Sequence, residues 1–438
     1  MNQPQNPPPS LSPSPSPARS GRLGPGLGSE TAPPGVRRSA AFLGAWLAAT
    51  FLANAQTPPN WEASESFRYN ILDARLGVAG MVRTITVTFS VTDPTDGNLP
   101  WNLKVDAPFT LPGARLTVDV GWSTRDYHNT GSTGEALTPV AFGRGIPAAP
   151  PISVNALAAA PAPNGPAGTY QVVATLPSQA FGTAVVALEG HPMWPDATGA
   201  LAAVPVKSAY RYVAVTDSQP VPRRQIVDIA KCQACHNDQW HDKIDQVIPR
   251  LTLHGANRTE ELGVCVICHN ANQTDIGYRT SGTEVAVDFK TMIHAIHGNK
   301  RREQPLVVVG FRGNVVDFGD VEFPANPRDC YRCHIEQNGK GTYELPLAPG
   351  VLGTTIDTRS TPGVSVDVDP ANNLRITPTA AVCSSCHDSP KARTHMASAK
   401  SGGKFGVLQS QIDSLAVKEN CVSCHGPGKD KSVRKVHR

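Results

Sequence analysis

The chain has 438 residues, enough for two or three domains, and its 40 Pro and 38 Gly outweigh 12 Phe, 8 Tyr and 6 Trp. That balance implies a loop-rich protein with a modest apolar core. The formal net charge is +4, but residues 1–55 hold four Arg and one Glu, so little positive charge is left to attract nucleic acid. All 10 Cys fall in five Cys-x-x-Cys-His pentads, a pattern that chance would produce about 0.007 times in this composition. No thiol is left over for a disulfide, so a stapled secreted scaffold is excluded.

Residues 1–36 are Pro/Ser-rich and predict a disordered leader extension or an upstream start codon chosen by mistake. Residues 37–55 predict a signal peptide: Arg37 and Arg38, an apolar run from Ala40 to Leu52, then Ala53-Asn54-Ala55. The run is shorter than the roughly 20 residues of a spanning helix. The mature chain is therefore expected to be exported without a transmembrane helix. It carries no cysteine after the apolar run for lipid attachment.

Residues 56–222 lack cysteine and predict an all-β sandwich or barrel-like domain. Val82–Val91 alternates Ile85, Val87 and Phe89 with polar residues, and Arg115–Trp122, Tyr170–Leu176, Thr183–Leu188 and Tyr210–Val215 repeat the signal between turn residues. The Pro/Ala-rich stretch Gly143–Gly168 reads as a long loop. His128 and His191 sit in turn-like contexts and read as surface residues.

Residues 223–438 predict a loop-rich, partly helical domain built around cofactors. The pentads are Cys232, Cys235 and His236; Cys265, Cys268 and His269; Cys330, Cys333 and His334; Cys383, Cys386 and His387; Cys421, Cys424 and His425. Two thiols three positions apart reach both vinyl-derived carbons on one porphyrin edge, and the adjacent His reaches the iron as proximal ligand. Zinc also uses paired Cys-x-x-Cys, but it does not require a His directly after the second Cys. The pattern therefore predicts five covalent haems c, whose ten propionates would turn the net charge negative. Aperiodic stretches such as Tyr343–Arg375 are poor core material, which flat cofactors would make good.

Six histidines remain for the opposite faces of five irons: His241, His254, His294, His297, His395 and His437. Phe289–Gly298 has the apolar stripe of a helix, with Gly298 as its stop. His294 and His297 share a face of it, and since each iron already has a proximal His they would serve two adjacent haems. His254 and His395 each follow a pentad shortly. His437 ends a basic tail that could equally be solvated charge. His241 is the spare, and Met292 and Met396 are possible sixth ligands that would raise potential.

The succession of these pentads with His254-Gly-Ala-Asn-Arg258, Phe289-Lys-Thr-Met-Ile-His-Ala-Ile-His-Gly298, His395 and His437 resembles a pentahaem domain of the OmcA/MtrC-type outer-membrane multihaem (decahaem) cytochromes. The likeness spans Lys231 to His437, with His241–Thr252 standing as an insertion. It implies that His254, His294, His297, His395 and His437 are the distal ligands and that a β-domain precedes the haem domain. It also implies electron relay toward extracellular or outer-membrane acceptors such as metal oxides, with other cytochromes or a porin-containing conduit as partners. Family members typically pair two such halves, and their β-domains can carry a redox-active disulfide; this chain has one half and no cysteine for the disulfide. The function expected is electron transfer by five bis-His haems, at the cell surface, outer membrane or periplasm, with no catalytic residue. The alternatives are a multihaem oxidoreductase with one open haem near Lys300, Arg301 and Arg302, or a haem-relay docking subunit of a larger complex.

Overall fold

The computed structural model of the protein describes residues 58–127, 129, 151–177, 180–363, 367, 370–414 and 418–437. The leader extension, the signal peptide and His128 lie outside them. The described residues belong to one compact unit, Ala49–Arg438.

Seven longer strands build the first half: β1 (Arg68–Ala79), β2 (Val82–Asp93), β3 (Arg115–Trp122), β4 (Ile152–Asn155), β5 (Thr169–Leu176), β6 (Thr183–His191) and β7 (Ala209–Ala214). One antiparallel sheet runs β1-β2-β5, extended by the short strands Leu99–Pro100 and Ala160–Pro161; the other runs β7-β6-β3-β4. Alternation decides which side chains face inward. Ile85, Val87 and Phe89 of β2 meet Leu116, Val118, Val120 and Trp122 of β3 and Val186 and Leu188 of β6 in one core. The architecture is the all-β first half that the sequence predicts, followed by short helices and loops.

Two expectations for this half need correction. Gly143–Gly168 is not one long loop, because β4 and Ala160–Pro161 lie within it and pair with β3 and β5. His191 is not a surface residue. It ends β6 at 6% exposure, with Nε2 3.0 Å from the Gly113 carbonyl. A turn-like sequence context cannot reveal that a later segment covers the strand end.

β6 departs from the alternation of β2, because it is buried along its whole length. A strand buried on both faces has no polar side to alternate with. Its inner face serves the sandwich core, and its outer face, through Val185 and Ala187, packs on Tyr127, Val264, Val266 and Ile267. The last three belong to the helix bearing the second pentad, so this part of the cysteine-rich half rests on β-sheet. Polar groups seal the contact. Arg258 Nε lies 2.7 Å from Glu189 and its Nη2 3.7 Å from Asp119. Asp126 accepts from Arg224 Nη2 at 2.8 Å and from the Leu352 amide at 2.5 Å. Asn272 donates to the Tyr127 carbonyl at 2.9 Å and accepts from Arg375 at 2.7 Å.

The second half contains α1 (Ile229–Gln233), α2 (Leu262–Cys268), α3 (Phe289–His297), α4 (Pro378–Ser384), α5 (Pro390–Ala397), α6 (Val422–His425) and α7 (Val433–Val436). Tyr343–Arg375 contributes Thr354–Asp357 and the start of Leu374–Ile376 to a small sheet with Phe405–Leu408. The inserted stretch forms a hairpin in which Trp240 faces Val247.

Burial raises the pKa of Glu189 well above the ordinary carboxyl value, and neighbouring Asp119 adds to the effect. Burial also raises Asp119, with Arg258 opposing it. Both folded-state values exceed the unfolded ones, so in the interval between them the native state holds more protons and stability falls as pH rises. Glu189→Gln removes one of the two ionising groups. We expect thermal midpoints measured from about pH 4 to pH 8 to decline less steeply for this variant than for the parent; parallel slopes would contradict it.

Candidate metal centres

Each pentad is held in a short helical turn whose start is capped by a side chain or whose turn closes on itself. Asp228 caps α1 ahead of Cys232, Glu261 caps α2 ahead of Cys265, and Asp329 accepts from the Tyr331 amide beside Cys330. In every pentad the amide of the His donates to the carbonyl of the first Cys, at 2.9 to 3.0 Å. The thiols and the imidazole are thereby fixed relative to one another. None of the ten cysteines is in a disulfide.

The five pentad histidines each face a different distal candidate. Ring centroids lie 6.3 Å apart for His236 and His297, 6.0 Å for His269 and His254, and 6.0 Å for His334 and His294. They lie 6.0 Å apart for His387 and His437 and 6.2 Å for His425 and His395. Two imidazoles on opposite sides of one iron, with metal–nitrogen bonds of about 2 Å, place their ring centres about 6 Å apart. The residues present therefore fit haem in both respects, two thiols on one side and a spaced imidazole pair. A bare metal ion would need a tighter cluster. Among the described residues no three His, Cys, Asp or Glu side chains converge on such a point.

Seven of these ten imidazoles have a visible orienting bond at Nδ1, which leaves Nε2 as the donor atom. His236 uses the Pro249 carbonyl at 3.0 Å, His269 that of Val287 at 2.8 Å, and His425 that of Lys431 at 2.8 Å. His334 uses Thr342 Oγ1 at 3.2 Å. His294, His297 and His437 share one device, the helical carbonyl four residues back, on Lys290, Ile293 and Val433. Burial pulls His254 well below the usual imidazole pKa, His297 to about 4 and His334 to about 3. The neutral imidazole, the form that binds a metal, is thus the form the fold selects.

Among the described residues His241 has no opposing imidazole; its Nε2 is 2.9 Å from the Cys235 carbonyl, within the first pentad's own turn. Met396 is buried among Ile376, Ala380 and Ala381 as core. The basic tail is not uniformly solvated. Arg434 pairs with Glu336 and Glu344, each at 2.8 Å, and so anchors α7 and His437. Of the suspects for an open site, Arg302 donates to the Ser385 carbonyl and lies 3.5 Å from Asp388, while Lys300 lies 3.5 Å from Glu322.

Helix α3 touches four pentads. Its first amide, on Phe289, donates to the His269 carbonyl at 3.0 Å. His294 and His297 face the third and first pentads. At its end the space for a Cβ on Gly298 would lie 2.7 Å from Cys386 Sγ. Gly298 does stop the helix, but at φ −88°, so close approach of the fourth pentad is what requires glycine there. Sequence reading also missed Asp288, which caps α3, pairs with Lys290 and accepts from Thr354 at 2.7 Å. An Asp before the helix was the available signal. Glu419 was missed too. It bonds Thr377 Oγ1 and the Thr379 and Ala380 amides at 2.7 to 2.8 Å, joining the segment before Cys421 to the helix bearing Cys383.

Among known proteins, the family model "Outer membrane cytochrome MtrC/MtrF-like, domains II/IV" matches residues 224–438. The chain is also similar to the crystal structure of the outer membrane decaheme cytochrome OmcA, with 18% identity and a TM-score of 0.43 over 86% of this chain. It spans about half the length of that protein, 49%. No curated protein matches. Residues 224–438 thus form a domain of the MtrC/MtrF-like outer membrane cytochrome type.

Proposed function

We propose that the protein is an exported electron relay with five covalently attached haems c, one per pentad, acting at the outer membrane or cell surface. The observation that carries the reading is the one-to-one facing of five pentad histidines with five distal ones. Covalent haem supplies one-electron Fe(III)/Fe(II) chemistry and a flat apolar body. The chain's residues supply the rest. The cysteines would hold each group in place, and the paired imidazoles would ligate its iron and leave no room there for substrate. Backbone carbonyls aim six of those imidazoles, and burial favours the neutral form of His236, His254, His269, His294, His297, His334 and His437.

Contacts between pentads support a continuous path. The segment before Cys421 bonds the helix of Cys383, α3 joins the fourth pentad to the third and first, and its first turn meets His269. A reductase would need a pentad histidine without an opposite imidazole, and all five have one. The family's place at the outer membrane makes other cytochromes, a porin conduit and extracellular metal oxides the partners and acceptors we propose. Among the described residues no helix is long and apolar enough to cross a membrane.

Denaturing mass spectrometry of matured protein should show five haem additions and no titratable thiol; fewer additions or free thiols would overturn the stoichiometry. His294→Ala and His297→Ala should each convert one haem equivalent to a form that binds cyanide, at the third and first pentads respectively. Double conversion in the two-site variant would show two separate centres, whereas conversion of only one would show a shared iron.

A further inference from the structure

The segment leading into the first pentad is laced to the third. Val227 bridges His334 in antiparallel register, and the Ile335 amide donates to the Ile226 carbonyl at 3.4 Å. Thr342 Oγ1 donates to the same carbonyl at 2.5 Å. Lys231, directly before Cys232, completes the seam. Its Nζ donates to the carbonyls of Tyr331 and His334, both at 2.6 Å. Several cations near the centres are ion-paired: Arg258 with Glu189, Lys290 with Asp288, Arg302 with Asp388, Arg434 with Glu336 and Glu344. Around the third pentad itself, Arg332 pairs with Asp329 at 3.2 Å. Lys231 instead gives its hydrogen bonds to neutral carbonyls, one of them the backbone of a pentad histidine. Its hydrogen-bond partners therefore leave its charge in place, and the carboxylate it acts on, Glu336, is itself paired with Arg434 at 2.8 Å.

We propose that Lys231 is a positioning residue for electron relay: its ammonium fixes the third pentad beside the first and raises the reduction potential of the His334–His294 centre. The proposal rests on the five-haem reading. A fixed cation favours the less positive of two redox states, so it stabilises the centre after it has gained one electron. The electron comes from a chemical reductant or an upstream carrier, and the ammonium gains and loses no proton in the step. The third pentad meets α3 through His294 and the first pentad through this seam, so the effect places an electron-holding site within the path.

The test uses the matured full chain and its Lys231→Met and Lys231→Arg variants. Reductive titration with dithionite and mediators is followed by electron paramagnetic resonance. The His334 centre is the low-spin signal that disappears in His294→Ala. We expect that centre to reduce later, at lower potential, in Lys231→Met, to return toward the parent position in Lys231→Arg, and the other four to stay in place. Unmoved titration, an equal shift of all centres, or an equal shift in both variants would overturn the proposal. If Lys231→Met matures with fewer haems, Lys231→Gln keeps a donor without the charge and is read by the same criteria. Fewer than five low-spin centres in the parent protein would overturn the five-haem reading and this proposal together.

Discussion

The arrangement depends on a nine-residue helix carrying two histidines three positions apart. On a helix, residues at that spacing share a face but point to different places along it. His294 and His297 therefore reach two pentads, and since each already offers an imidazole, the helix must lie between them. Everything around α3 serves that placement. Asp288 caps it, Phe289 ties its start to His269, and Gly298 lets Cys386 close on its end. A longer side chain at Gly298 would push the fourth pentad away.

The rest of the cysteine-rich half is held by polar bonds more than by an apolar core. Arg375, 3% exposed, bonds Asn272 and the Gly353 carbonyl, and Glu284, 9% exposed, accepts from Thr358 and Thr274. Such groups are costly to bury without partners, so their pairing fixes one arrangement of otherwise aperiodic loops. The β-sandwich adds the remaining support. The second pentad's helix packs on β6, and Arg258 is clasped by two sheet carboxylates.

Local signals were the legible ones. The pentads, the α3 stripe and the alternation of β2 and β3 each declare themselves within about ten residues, and the structure places them where the pattern says. β1 was silent because its burial follows no clean alternation, although it pairs with β2 along nearly its whole length. His191, Glu189 and Lys231 were illegible for another reason. Their meaning comes from segments distant in sequence, and nothing beside them announces the partner. The same holds for which distal histidine faces which pentad: His254 and His395 each follow a pentad shortly, yet each faces the pentad after it, at His269 and His425, a choice that only the fold makes.

The central claim is that every pentad histidine is opposed by a second imidazole. The spin state of the fully oxidised protein tests it most directly. Electron paramagnetic resonance of the ferric form should show low-spin, bis-imidazole iron throughout, unchanged by excess cyanide or nitrite. A high-spin signal amounting to a full haem equivalent, or one that such a ligand converts, would mean an open centre and contradict the account.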